Sequence, residues 1–177
     1  MNYLISFSPW IVVSLGHRFG NGTTAVRLAA ALAVAIAVTN VARRRTRILE
    51  VGSAILLVLV AVAVYAQHGT GLQNWLPAIM HGGAALIAWT SLAVGRPFTI
   101  DYAREMTPRQ YWASPLFREL NVKSTLAFAV SFTAACVLTA GAIAADDHRL
   151  ATLIWIAMIG VPLLYTKRLL QDSKAAA

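Results

Sequence analysis

Residues 23–66 read TTAVRLAAALAVAIAVTNVARRRTRILEVGSAILLVLVAVAVYA. Two apolar runs, 23–42 and 49–66, stand on either side of Arg43, Arg44, Arg45 and Arg47. Each run is close to the ~20 apolar residues that a helix needs to cross ~30 Å of hydrocarbon. The pair therefore reads as a transmembrane hairpin whose turn carries the charge. Both runs are long and continuously apolar rather than short and alternating, so the spans are helices and not barrel strands.

Outward from this hairpin the pattern repeats. Further apolar runs cover 2–15, 75–94, 124–144 and 150–165, the first of them short and interrupted by Pro9. Between 75–94 and 124–144 lie Arg96, Arg104, Arg109, Arg118 and Lys123, and Lys167, Arg168 and Lys174 follow the last run. The remaining loops, 16–22, 67–74 and 145–148, are nearly free of Lys and Arg. Basic loops alternating with neutral ones are the mark of a multi-pass inner-membrane protein with its basic loops in the cytoplasm. The expected fold is an all-α, polytopic transmembrane helical bundle of six spans, forming a single integral membrane domain over 1–177. Both termini are then cytoplasmic. If the first run lies in the interface, the crossings are five and the N-terminus is outside. Its lack of a basic leader reads as a retained first span rather than a cleaved signal.

Composition agrees. The chain is 58% hydrophobic and 12% charged, against ~25% charged in soluble domains. A net charge of +8 would suggest nucleic acid in a soluble protein. Here 12 of the 15 Lys and Arg fall in the three basic segments, so the charge orients the chain and meets anionic head groups. No nucleic-acid partner is expected. The single cysteine, Cys136, lies in an apolar run and cannot form an intramolecular disulfide.

Segment 95–123 holds most of the chemistry. Gly95 and Pro97 stop the preceding span. Thr99 is placed to cap a short helix running to about Met106, with Asp101 near its positive end. Pro108 and Pro115 break further helix. Phe98, Ile100, Tyr102, Tyr111, Trp112, Leu116 and Phe117 are too apolar for a free loop, and aromatics interleaved with Arg suit the head-group level. Arg96, Phe98, Tyr102, Arg104, Arg109, Tyr111, Trp112 and Arg118 are the candidate contacts to lipid or to a partner. A plain interfacial connector, with Asp101, Glu105 and Glu119 pairing with nearby Arg, is the simpler reading and is favoured. The segment has no phosphate cradle, metal-ligand spacing or nucleophile elbow.

Ionisable residues at membrane depth are suspects for function. Arg27 sits about one turn inside the second span and His81 inside the fourth, before Gly82 and Gly83. Together they are a candidate vestibule toward the outer face, where His17, His68, Asp146, Asp147 and His148 also collect. No two metal ligands share an i, i+4 spacing, and His81 has no embedded partner for haem. No metal and no cofactor are expected. Asn40, Thr90, Ser91, Ser131 and Thr133 suit interhelical hydrogen bonds. A weak internal similarity relates Arg47-Ile48-Leu49-Glu50-Val51-Gly52-Ser53 to Arg118-Glu119-Leu120-Asn121-Val122-Lys123-Ser124.

Several short marks run in order through the chain: Phe7-Ser8-Pro9 near the start, the basic cluster Arg43 to Arg47, Trp75-Leu76-Pro77 opening a span, Gly95-Arg96 ending it, and Arg118-Glu119-Leu120-Asn121 entering the next. In these the chain resembles the intracellular septation protein A family of bacterial inner-membrane proteins. The resemblance implies a cell-envelope role linked to division or envelope synthesis, without catalytic residues to carry over. The expected function is then non-enzymatic, exercised through membrane lipids or other inner-membrane proteins. The alternatives are a small channel or transporter using Arg27 and His81, or an accessory subunit of a larger complex. Assembly as a homo-oligomer is compatible with each. An intramembrane enzyme ranks last, because every Asp and Glu lies in a loop, a tail or at a span edge.

Overall fold

The structure is a computed structural model that describes residues 2–44, 46–66 and 71–175; the side chains of 2–4, 18, 148, 149, 151, 152 and 173–175 lie outside the description. The described elements are all helical. They are α1 (Asn2–Arg18), α2 (Gly22–Ala42), α3 (Ile48–Ala66), α4 (Leu72–Ala93), α5 (Thr99–Met106), a 3-10 turn at Arg109–Tyr111, α6 (Pro115–Ala144) and α7 (His148–Ala175). Five of them, α2, α3, α4, α6 and α7, carry stretches long and apolar enough to cross a membrane. The protein is an all-α membrane protein. At 17 residues, α1 reaches ~25 Å, somewhat less than the ~30 Å of a hydrocarbon core.

The helices form two compact units, Met1–Gly83 and Ala84–Ala177, with α4 contributing to each. In the first unit α1 packs on α2 and α2 on α3. Ala25, Ala29, Ala33 and Ala37 recur every fourth residue on one buried face of α2, while Leu28, Leu32 and Val38 face outward. Small residues on the packed side let backbones approach, and large apolar ones suit lipid. The core joins Val13 of α1, Val26 of α2, Leu57 and Val60 of α3, and Leu76 and Met80 of α4. Gly16 is required by this packing, since a Cβ there would stand 2.0 Å from the Ala25 Cβ. Gly83 likewise receives the side chain of Leu56, which comes within 2.2 Å of where its Cβ would be. A Gln73–Thr23 hydrogen bond ties the start of α4 to the start of α2.

In the second unit α6 packs along α7, and the short α5 packs on α6. Thr99 Oγ1 donates to the Asn121 carbonyl at 3.0 Å and lies 2.8 Å from the Thr125 hydroxyl. Trp89 Nε1 donates to Thr133 Oγ1 at 3.1 Å, joining α4 to α6.

Three prolines lie inside helices, Pro9, Pro77 and Pro162, and each frees a carbonyl four residues back, because proline has no N–H. In α1 the carbonyl freed by Pro9 is that of Ile5, and Ser8 Oγ donates to it at 2.7 Å. In α7 the carbonyl freed by Pro162 is that of Met158, and it accepts from Ser131 Oγ of α6 at 3.0 Å. The second bond closes a backbone vacancy across the helix interface.

Several boundaries differ from the sequence reading; α4, for one, begins at Leu72, inside the segment read as the loop 67–74. Residues 16–18 continue α1 instead of turning, and the turn is Phe19–Gly20, with Gly20 at φ +76°. Thr99 is the first residue of α5 rather than its cap, because its hydroxyl is taken by α6. Pro115 starts α6 rather than breaking a helix. Ser114 caps that helix by accepting from Phe117 N at 3.1 Å, and proline at the first position needs no N–H partner. The interfacial segment is therefore shorter by the nine residues 115–123, and α6 is one 30-residue helix. The polar tail after residue 165 also continues α7 as far as Ala175.

Candidate functional site

The segment between α4 and α6 is built from its turns upward. α4 ends in a Schellman motif: Gly95 adopts φ +69°, its N–H reaches the Leu92 carbonyl, and Arg96 N reaches Ser91 O at 2.9 Å. Pro97 and Phe98 then turn inward. Phe98 is 3% exposed, packs edge-on against Phe128 with ring centroids 5.7 Å apart, and donates its N–H to Ser91 Oγ at 3.2 Å. Tyr102, one turn on, is buried as well. These two expected contact residues thus face α6 and anchor the segment. The α5 periodicity that buries one face turns the other outward.

The outward face gathers guanidinium around one indole. Arg104 and Arg109 place their guanidinium carbons 5.3 and 5.6 Å from the centroid of the Trp112 ring. Trp112 Nε1 donates to the Thr107 carbonyl at 2.8 Å, which fixes the ring across the turn. Cation–π contact at this distance orients the cations while leaving their N–H groups available. Arg104, Arg109 and Tyr111 are exposed, and Trp112 is half-buried. Arg96 pairs with Asp101 at 3.4 Å. Arg118 sits at the carbonyl end of α4, with Nη2 3.9 Å from where a Gly95 Cβ would lie, a favourable place for a cation. Glu119 pairs with Lys123 at 2.6 Å rather than with an arginine.

In the first unit, Arg27 is exposed and lies 5.7 Å from the Tyr65 ring centroid. His81 is buried in α4 at 3% exposure. Asp147 accepts from Leu150 N at 2.9 Å, as a capping residue before α7, and Asp146 takes φ +55° in the turn. His68, Arg45 and the side chains of His148 and Lys174 lie outside the described residues. Among the described residues no group of three His, Cys, Asp or Glu is placed to hold a metal ion.

One cluster escaped the sequence reading. Arg47, grouped by sequence with the exposed Arg43 and Arg44, is buried at 7% exposure, and Glu50 at 3%. Arg47 Nη1 donates to Glu50 Oε1 at 2.9 Å and to Ser6 Oγ at 3.0 Å. Ser6 Oγ donates to Glu50 Oε1 at 2.5 Å, and Asn40 Nδ2 to Glu50 Oε2 at 2.7 Å. One turn deeper, Trp10 Nε1 donates to Ser53 Oγ at 2.9 Å. Arg47, Glu50 and their partners on α1, α2 and α3 thus form a satisfied polar clamp. The available signal was an acid one turn after an arginine at the mouth of an apolar run, with polar Ser6 and Asn40 in the neighbouring spans.

Comparison of the chain with protein-family models, with curated proteins and with solved structures gives no match.

Proposed function

We propose that this is a non-enzymatic bacterial inner-membrane protein of the cell envelope that works by holding anionic head groups at the cytoplasmic membrane surface. The observation that carries the reading is the pair Arg104 and Arg109 on the Trp112 ring. An indole at the head-group level anchors depth, and two oriented guanidiniums offer paired donors to phosphate oxygens. The tie to division or envelope maintenance rests on the resemblance to the septation family alone. In this reading α1 crosses with α2 and α3. Its Ser6 end meets the end of α2 bearing Asn40, and its Gly16 meets Ala25 near the other end of α2. Six crossings then leave both termini in the cytoplasm, with Arg43, Arg44 and the Trp112 face on the same side.

Flotation with liposomes tests the reading. The purified chain, reconstituted into neutral phosphatidylcholine nanodiscs, should associate with vesicles containing phosphatidylglycerol. Arg104→Ala with Arg109→Ala should weaken that association roughly thirtyfold, since each cation near an anionic surface contributes ~1 kcal/mol. Association that is unchanged in the double variant refutes the platform.

A further inference from the structure

α6 and α7 leave an open groove along their shared flank. On α6, Lys123, Ala127, Val130 and Ala134 recur three or four residues apart and form one wall. On α7, Met158 and Tyr165 belong to the other wall. The groove has a volume of about 720 Å³, within the ~300–1,000 Å³ usual for ligand sites. From Lys123 to Leu138, both of which line it, the helix rises ~22 Å. That exceeds one leaflet, half of the ~30 Å hydrocarbon core.

Polarity is confined to one end. Ser131 lines the middle of the groove, but its hydroxyl is spent on the Met158 carbonyl freed by Pro162. The middle therefore presents mostly apolar surface. At the mouth stand the Lys123 ammonium and the Tyr165 ring. Arg168 follows Tyr165 by three residues, on the same helix face, and is exposed. Glu119 engages Lys123 at 2.6 Å, and an ammonium has three donors, so two remain. A long, mostly apolar groove with cations at one end matches a molecule with an apolar chain and an anionic head.

We propose that the α6–α7 groove holds one acyl chain of an anionic phospholipid, with its phosphate against Lys123 and Arg168. This proposal rests on the groove and not on the Trp112 platform, so the two fail separately.

Native mass spectrometry of the full chain tests it. The protein is released from mixed micelles holding equal amounts of dioleoylphosphatidylglycerol and dioleoylphosphatidylcholine. With the Trp112 platform removed by Arg104→Ala and Arg109→Ala, the chain should retain one phosphatidylglycerol, roughly thirtyfold over phosphatidylcholine. Lys123→Gln with Arg168→Gln should erase that preference. Ala134→Trp should fill the groove and abolish retention, and Ala127→Leu, a milder filling, serves if the larger side chain lowers helicity. Equal retention of both lipids, no retention, or retention indifferent to Ala134→Trp and Ala127→Leu overturns the proposal. A dimer that Ala134→Trp dissolves also overturns it, because the groove then belongs to a second copy of the chain.

Discussion

Glu50 shows how far a single residue can depart from its sequence setting. Its carboxylate accepts from Ser6 and Arg47 on one oxygen and Asn40 on the other. A buried pair of this kind is weak evidence of net stability, yet removing one partner leaves an uncompensated charge and costs about 3–5 kcal/mol. Arg47→Ala should therefore lower the unfolding free energy in detergent by roughly that amount. Arg43→Ala, at an exposed position, should change it by less than about 0.5 kcal/mol. Denaturant titration followed by circular dichroism separates the two, and equal effects would remove the clamp. Charge patterning alone placed Arg47 with Arg43 and Arg44, because a run of like residues gives no sign of which member turns inward. By contrast the aromatic–arginine interleaving of 95–118 did point to Trp112, since apolar rings and guanidinium alternate there within a few residues. It did not separate Phe98 and Tyr102, which bury, from Trp112, which presents.

Among the elements, five of the six assigned spans were legible because apolar length survives any detail of packing. Their ends were less so. Proline reads as a breaker when its position in the helix is unknown, yet Pro115 begins α6 and Pro162 lies within α7. Ser131 explains how the interior one is tolerated. Ser131→Ala leaves the Met158 carbonyl without its cross-helix donor, and an unsatisfied buried acceptor costs ~1–3 kcal/mol. A loss of this size in thermal unfolding is expected, while Ser131→Thr, which keeps the hydroxyl, should retain most of the stability. Helix α1 is governed by close approach. Gly16→Val would drive a side chain into Ala25, separating α1 from α2. The expected readout is proteolysis between α1 and α2, with wild-type cleavage patterns elsewhere. An uncut, fully stable Gly16→Val chain would show that α1 does not pack as described.

For the whole molecule, the internal similarity between 47–53 and 118–124 acquires structural content. Glu50 and Ser53 in one unit, and Asn121 and Ser124 in the other, are all buried at corresponding positions near the start of a long helix. Each unit thus places a polar pair beneath a charged helix entrance. The similarity was visible in the sequence, but its burial was not, because sequence identity carries no direction of facing. What the sequence did carry at this scale is the alternation of basic and neutral loops, and on it rests the claim that the arginine-rich ends share one side of the membrane. Thiol accessibility tests that claim most directly. In a Cys136→Ser background, single cysteines replace Arg44, Gln110, Phe19 or Asp146, and intact cells are treated with a membrane-impermeant maleimide before and after permeabilisation of the inner membrane. Positions 19 and 146 should react in intact cells and positions 44 and 110 only after permeabilisation; labelling of 44 or 110 from outside, or of 44 and 110 from opposite sides, would contradict the account.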